Sequence, residues 1–187
     1  MQEPNKLKSM LINYASAHQN KINVLLHFIG IPTIMLGICI PLSWYEFDIL
    51  GQSITPAHGI IFALFIFYLT LDLSFSIAFL FFGLLINNFA ITISALENSG
   101  IIAAVAFFGG YALQFIGHAI EKSMPVLVKH PIQANIAAPF FVIVEIFGLL
   151  KLRKDLFHEI NTLVDEYRVK ENQLEKNNIV NKASEFH

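Results

Sequence analysis

Charge is almost absent from the middle of this chain. Between Val24 and Ile120 the acidic and basic residues number four: Glu46, Asp48, Asp72 and Glu97. A soluble fold needs a polar exterior, and a water-facing surface of that length is never so poor in charge. Over all 187 residues, 55% are apolar and 14% are charged, against ~25% charged in a typical soluble domain. The sequence therefore predicts an all-α, polytopic membrane protein.

Three apolar stretches account for the membrane-spanning helices, since a helix needs roughly 20 apolar residues to cross a bilayer. The first stretch is 24–42 and the last is 101–120. The stretch between them, 58–93, is too long for one ordinary span and contains Asp72. We expect a tight pair of helices that turns near Asp72, although one long, tilted helix is an alternative. The sum is a bundle of about four transmembrane helices.

A further apolar segment, 131–150, is interrupted by Asn135 and Pro139. Proline removes a helical hydrogen bond, and irregular backbone is tolerated inside a membrane where protein buries it. We therefore expect a re-entrant or interfacial segment that is broken at Pro139.

The chain becomes strongly charged from Lys151, and apolar residues recur there at roughly helical spacing. This pattern predicts a C-terminal surface helix, which frays into a disordered end near Asn177. The sequence thus divides into a single membrane-embedded helical domain, 1–150, and a charged C-terminal helix with its tail, 151–187.

Basic residues predict the orientation of the bundle. Lys6, Lys8 and Lys21 precede the first span, and the positive-inside rule places such flanks in the cytoplasm. A fifth full span would put Lys151 and Arg153 outside, whereas a re-entrant segment keeps both termini cytoplasmic. The net charge is −2 and no Lys/Arg run forms a patch that could track a phosphate backbone, so a nucleic-acid partner is not expected.

Histidines gather at one face of this predicted bundle. Four lie at or just below its cytoplasmic surface: His18, His27, His118 and His130. His27 lies one turn into the first span and His118 lies near the end of the last, so helix packing can bring their imidazoles together. His18 and His27 are nine residues apart, ~2.5 helical turns. They converge only if the chain breaks between them, with an Asn capping the following helix. His58 lies at the opposite face.

These residues indicate a metal site. His118 and Glu121 lie side by side on a helix because they are three residues apart. Three imidazoles with open positions suit Fe(II) oxygen chemistry or catalytic zinc. Taken singly, each histidine also has a purely structural reading, and His130 reads as an ordinary interfacial residue. Four further residues are candidates for hydrogen bonding to the ligands or for contact with a substrate: Tyr14, Asn23, Gln114 and Lys122. Glu145, in an apolar run, needs a partner inside the protein.

Two motifs resemble the signatures of the Mpo1-like family. They are the pattern YxxxHxxxxNxxxHxxG, which runs from Tyr14 to Gly30, and QxxGH, which ends at His118. The later segment 138–145 looks like the final segment of that family, so the resemblance covers roughly residues 10 to 150.

The resemblance implies an iron(II)-dependent dioxygenase that acts on 2-hydroxy fatty acids in α-oxidation and shortens the chain by one carbon. By position, His18, His27 and His118 match the family's histidines and would be the catalytic metal ligands, with Glu121 and His130 as further candidates. The substrates would be a 2-hydroxy fatty acid and dioxygen, within an endoplasmic reticulum membrane or a bacterial inner membrane.

Two other functions remain open from the sequence. The same ligands suit a zinc-dependent lipid hydrolase with Glu121 as general base. If the histidines are structural, the chain is instead a non-enzymatic membrane scaffold or lipid carrier. The oligomeric state is open as well, because Gly109 and Gly110 suit close packing either within the chain or against a second copy.

Overall fold

The computed structural model describes residues 6–17, 20–122, 128 and 131–166. Its elements are helices joined by short turns, and one small hairpin. The helices are α1 (Lys6–Ala17), α2 (Lys21–Leu42), α3 (Pro56–Leu69), α4 (Leu73–Ser94), α5 (Ser99–Glu121), α6 (Pro131–Leu149) and α7 (residues 154–166). The hairpin lies between α2 and α3, where β1 (Phe47–Ile49) pairs antiparallel with β2 (Gln52–Ile54). The prediction of an all-α membrane bundle is confirmed, and the hairpin is an addition to it.

Four helices, α2, α4, α5 and α6, are long and apolar enough to cross a membrane. The predicted helical pair within 58–93 is confirmed as α3 and α4. Asp72 caps α4, because its side chain accepts hydrogen bonds from the backbone N–H groups of Ser74 and Phe75. With 14 residues, α3 is ~21 Å long and thus shorter than the ~30 Å hydrocarbon core of a bilayer.

Helices α2 and α5 form the most extensive contact in the bundle and run antiparallel. Their backbones meet at glycines: a Cβ atom on Gly110 would lie 2.7 Å from the carbonyl oxygen of Gly30. A Cβ atom on Gly109 would meet nothing within 4 Å. Small residues are what lets two membrane helices approach so closely. We call the end where α2 begins and α5 ends the site end, and the opposite end, with the hairpin, the far end.

An apolar cluster joins the remaining helices. It unites buried side chains of α1, α3, α4, α6 and α7, among them Leu11, Tyr68, Phe75, Phe140 and Ile160. Its α7 members, Ile160 and Val164, are buried while most other side chains of that helix are exposed. The predicted C-terminal surface helix is therefore confirmed over residues 154–166. The predicted fraying near Asn177 lies outside the described residues.

The helix α6 is continuous through Pro139, so the expected break at that residue is wrong. A proline removes one helical hydrogen bond, but the next residue, Phe140, is fully buried. Its ring lies 5.1 Å from the ring of Tyr68 and 5.6 Å from that of Phe75. This aromatic packing holds the helix together across the missing bond.

Both ends of α6 are nevertheless tied to the same part of the bundle. Near its start, the carbonyl oxygen of Ile136 accepts a hydrogen bond from the Tyr68 hydroxyl. Just after its end, Arg153 forms an ion pair with Asp72. Tyr68 and Asp72 are one helical turn apart, whereas the 13 residues from Ile136 to Leu149 cover ~20 Å of helix. We therefore expect α6 to pass alongside the α3–α4 turn and to leave the membrane on the side from which it entered.

Site-directed labelling tests this topology. In a Cys39→Ala background, Thr70→Cys and Lys151→Cys should react with a membrane-impermeant maleimide from the same side of the membrane. Leu50→Cys, at the hairpin tip where the side chain is 98% exposed, should react only from the other side. Labelling of positions 70 and 151 from opposite sides would show that α6 crosses the bilayer.

Candidate active site

The polar residues of the site end begin at the junction of α1 and α2. The expected chain break between His18 and His27 is confirmed, since α1 ends at Ala17 and α2 begins at Lys21. Asn20 is the N-cap: its side-chain oxygen accepts a hydrogen bond of 2.9 Å from the N–H of Ile22. His18 itself lies outside the described residues.

Glu121, the last residue of α5, is bonded to the start of α2. One carboxylate oxygen accepts a hydrogen bond of 3.0 Å from the backbone N–H of Asn20. The other accepts one from the side-chain amide of Asn23. An anion placed at a helix N-terminus also complements the helix dipole. Glu121 thus anchors α2 to α5 at the level of the histidines.

His27 and His118 meet at this junction. Their ring centroids lie 4.9 Å apart with the planes at 81°, and both side chains are buried. Nδ1 of His27 donates a hydrogen bond of 2.9 Å to the carbonyl oxygen of Asn23. Because a carbonyl can only accept, Nδ1 carries the proton and the lone pair is on Nε2. The sequence prediction that these two imidazoles come together is confirmed.

The side-chain oxygen of Asn23 is the unusual atom of this cluster. Asn23 is fully buried, and its Oδ1 has no hydrogen-bond partner among the described residues. This oxygen points at α5, where a Cβ atom on Gly117 would lie 2.2 Å from it. An unsatisfied buried acceptor costs about 1–3 kcal/mol. The oxygen is therefore an acceptor beside the histidine pair whose hydrogen-bonding capacity the described residues do not use.

Gln114 lies one turn of α5 before His118 and fills the seam between α2 and α5. Its amide nitrogen is 3.5 Å from the carbonyl oxygen of Leu26, a long hydrogen bond. A Cβ atom on Gly30 would lie 2.3 Å from that nitrogen. Gln114 therefore supports the seam beneath the histidines.

Tyr14 connects α1 to α6 beside the site. Its ring stacks on that of Phe141 at 4.0 Å and 10°, and its hydroxyl is hydrogen-bonded to Glu145. Burial raises the pKa of the Tyr14 hydroxyl above its ordinary value, and the charges of Glu145 and Glu121 raise it further. The phenol therefore stays protonated and donates. Glu145, which needed an interior partner, finds it in Tyr14.

The fit of a metal ion to these residues rests on donor chemistry. Two buried imidazoles in ring contact and an adjacent unsatisfied oxygen are suitable donors. Among residues 6–17, 20–122, 128 and 131–166, no three His, Cys, Asp or Glu side chains are grouped to hold a metal. The predicted third ligand, His18, and the further candidate His130 both fall outside those ranges. The described residues thus supply two of the imidazole donors that a histidine-bound metal would need.

Two other candidates have different positions. Lys122 follows α5 as its C-cap in the left-handed conformation, with φ 57°, and its side chain is exposed. It is a surface charge near the site. His58, at the far end, accepts a hydrogen bond of 3.0 Å at Nδ1 from the N–H of Thr55. It caps α3, and it lies at the opposite end of the bundle from His27 and His118, as predicted.

Replacing Glu121 separates its anchoring role from ligation. We expect Glu121→Gln to keep the bound metal, because hydrogen bonds to α2 already engage both carboxylate oxygens. The glutamine amide would oppose the Asn23 amide, so the free energy of unfolding should fall by about 1.5–3 kcal/mol, the net value of a hydrogen bond to a charged group. Thermal unfolding and metal stoichiometry of the same sample check this. Loss of metal without loss of stability would identify Glu121 as a ligand instead.

The architecture and the site together define a helical integral membrane protein with a buried histidine pair at one end. The family model described as "2-hydroxy-palmitic acid dioxygenase Mpo1-like" matches residues 5–150, and the chain belongs to this Mpo1-like family. It is 28% identical over 164 residues to the 2-hydroxy-palmitic acid dioxygenase MPO1 of Saccharomyces cerevisiae, covering 82% of this chain and 89% of the yeast protein. No solved structure matches significantly.

Proposed function

We propose that this protein is an Fe(II)-dependent dioxygenase that acts on 2-hydroxy fatty acids and shortens them by one carbon in α-oxidation. The observation that carries the proposal is the buried contact between His27 and His118, two residues of the matching motifs, at one end of a membrane bundle. The activity named for the yeast relative supplies the substrate class.

His27 and His118 would hold the iron together with His18, and the oxygen of Asn23 lies beside them. When bound, iron supplies the activation of dioxygen. The protein supplies the rest. The Asn23 carbonyl fixes the tautomer of His27, and a hydrogen bond of this kind orients a ligating imidazole. Glu121 fixes α2 against α5, so the distance between the two histidines is set by packed backbone.

The oxidation is balanced by its two substrates. One 2-hydroxy acid and one dioxygen give the acid shorter by one carbon, carbon dioxide and water. The bond between C1 and C2 breaks, C2 becomes the new carboxyl carbon, and dioxygen takes all four electrons. No external reductant is needed, which fits a site with no nucleotide-binding motif in the sequence.

Placement at the end of the bundle suits a lipid substrate. Lys21 and Lys122 carry exposed positive charges at the site end, where they can attract a carboxylate from the interface. Below them the helices present apolar surfaces. A 2-hydroxy fatty acid can therefore keep its polar head at the histidines while its tail remains in hydrocarbon surroundings.

Turnover by the purified protein tests the proposal. The protein is isolated in detergent without oxygen, loaded with Fe(II) or Zn(II), and mixed with 2-hydroxypalmitate and air-saturated buffer. We expect one dioxygen to be consumed for each fifteen-carbon acid formed, with the iron-loaded sample only. A lipid ester is offered separately to the zinc-loaded sample, and its hydrolysis would favour a lipid hydrolase. Absence of both activities in folded, metal-loaded protein would favour a scaffold or lipid carrier.

A further inference from the structure

The hairpin at the far end has an apolar face and a polar face. Side chains alternate between the two faces of a strand, and residues paired across an antiparallel hairpin point to the same face. The pairs are Phe47 with Ile54, Asp48 with Ser53, and Ile49 with Gln52. One face therefore carries three apolar side chains and Gln52, whereas the other carries Asp48 and Ser53. The hairpin is amphipathic.

The apolar face is not covered by any described part of the chain. Phe47 and Ile49 are 57% and 50% exposed, and Leu50 at the tip is 98% exposed. Exposed apolar patches mark surfaces that contact a membrane or another protein. Turn chemistry does not explain the leucine, because its φ of 55° suits glycine or asparagine. The apolar face therefore needs an apolar partner.

The polar face is suited to water. The Asp48 carboxylate accepts a hydrogen bond of 2.9 Å from the backbone N–H of Gly51, which fixes the turn from this side. Asp48 and Ser53 are both exposed, and a carboxylate is costly to remove from water. A surface with hydrocarbon on one side and water on the other matches both faces of the hairpin.

The start of α3 fixes the depth of the hairpin in the membrane. His58, in the first turn of α3, lies beside α4, where the amide nitrogen of Asn87 is 3.1 Å from its Nε2. Asn87 is seven residues before Ser94, the last residue of α4, which is ~10 Å of helix. The 22 residues of α4 are ~33 Å long, enough to cross the ~30 Å hydrocarbon core. Helix α3 therefore begins inside the far-side leaflet.

Short connections keep the hairpin close to that level. Only Thr55 separates β2 from α3, and a strand of three residues is ~10 Å long. Before β1, the Trp44 ring lies 3.9 Å from the Cβ position of Gly100, at the start of α5, and tryptophan favours the membrane interface. The headgroup layer is ~5–7 Å thick on each side. Even an upright hairpin would therefore end among the headgroups.

We propose that this hairpin binds the bilayer interface, with Phe47, Ile49 and Ile54 against the acyl chains of the far-side leaflet. Asp48 and Ser53 face water. The tip lies among the headgroups, where a thiol reagent in the water still reaches position 50. The hairpin is thus a lipid-binding anchor outside the spanning helices, and it holds the start of α3 at its depth.

Two probe positions on opposite faces test this assignment. In the Cys39→Ala background, Ile49→Cys and Ser53→Cys are labelled with a bimane fluorophore and placed in phosphatidylcholine nanodiscs. The quenchers are a nitroxide on carbon 5 of a phospholipid acyl chain and iodide in the water. We expect the nitroxide to quench position 49 at least threefold more than position 53. Iodide should show the reverse preference.

Two other outcomes would overturn the proposal. Both side chains are exposed in the structure, so a hairpin that stands in water would give equal iodide quenching at the two positions and no nitroxide quenching. Shielding of position 49 from iodide without nitroxide quenching would mean that a second copy or another protein covers the face.

A polar substitution on the apolar face provides an independent test. We expect Phe47→Gln to lower nitroxide quenching at position 49 at least twofold and to raise iodide quenching. Ser53→Gln is the matched control on the polar face, and it should leave both values unchanged. Neither substitution removes a buried side chain. Unchanged quenching in Phe47→Gln would reject the apolar face as the part that binds lipid. Neither metal nor substrate takes part, so these results are independent of the proposed dioxygenase activity.

Discussion

Replacing His27 with alanine is expected to abolish turnover of 2-hydroxy fatty acids and to lower the iron content of the protein. The physical reason is that His27 shares a buried ring contact with His118 and presents the lone pair of Nε2, since Nδ1 donates to Asn23. Loss of an outer-shell partner costs ~10–100-fold in metal affinity or activity, and the loss of a ligand should cost more. His118→Ala should behave alike, and the double variant should be no worse than either single one.

The control for this result is a histidine of the same chain with a structural role. His58→Ala removes the cap of α3 at the far end, which should lower stability by about 1 kcal/mol. It should leave iron content and turnover at the wild-type level. Iron stoichiometry, oxygen uptake and thermal unfolding are measured on the four variants and on the wild type. Full iron content and full turnover in His27→Ala would end the case for a histidine-bound metal.

The properties that could be predicted from the sequence are those dictated by solvent and by local chemistry. Near absence of charge between Val24 and Ile120 requires lipid as the solvent, and the helical bundle follows. Asp72 favours a helix start because its short side chain caps the backbone N–H groups that follow. Asn20 does the same before α2. The meeting of His27 and His118 follows from their equal depth in two helices.

Features that depend on helix rotation could not be predicted. Gly109 and Gly110 are equally small, but successive residues of a helix are rotated by ~100° about its axis. Only Gly110 therefore faces α2. The bonds from Glu121 to Asn20 and Asn23 likewise join positions about a hundred residues apart. The sequence offered Glu121 only as a candidate metal ligand. In the structure, both of its carboxylate oxygens accept hydrogen bonds from the start of α2.

Other differences come from tertiary packing that overrides local preference. Pro139 favours a break, but aromatic contacts of Phe140 keep α6 continuous. The hairpin has only three residues in each strand, mostly exposed, so its period-2 pattern is too short to recognise. It turns through Leu50 and Gly51, which both have positive φ, and leucine gives no turn signal.

Gly117 is the glycine of the QxxGH motif, and the structure gives the reason for a glycine at this position. It stands directly before His118, and the Asn23 side chain occupies the space that a Cβ atom would need: 2.2 Å to Oδ1 and 3.2 Å to Cγ. Asn23 cannot move away easily, because its side-chain amide donates a hydrogen bond to Glu121 and its backbone carbonyl oxygen accepts one from His27. A methyl group at this position must therefore push α5 away from α2.

We expect Gly117→Ala to lower kcat at least ~100-fold, because even a 1 Å misplacement of reacting groups can cost that much. Overpacking should also lower the free energy of unfolding by about 1–3 kcal/mol. Gly109→Ala is the matched control, since its Cβ atom would meet nothing within 4 Å. It should keep full activity and gain up to ~1 kcal/mol from the better helix propensity of alanine. Oxygen-uptake kinetics and thermal unfolding measure both effects. Equal activity in the two variants would mean that the approach of α5 to Asn23 does not set the geometry of the site.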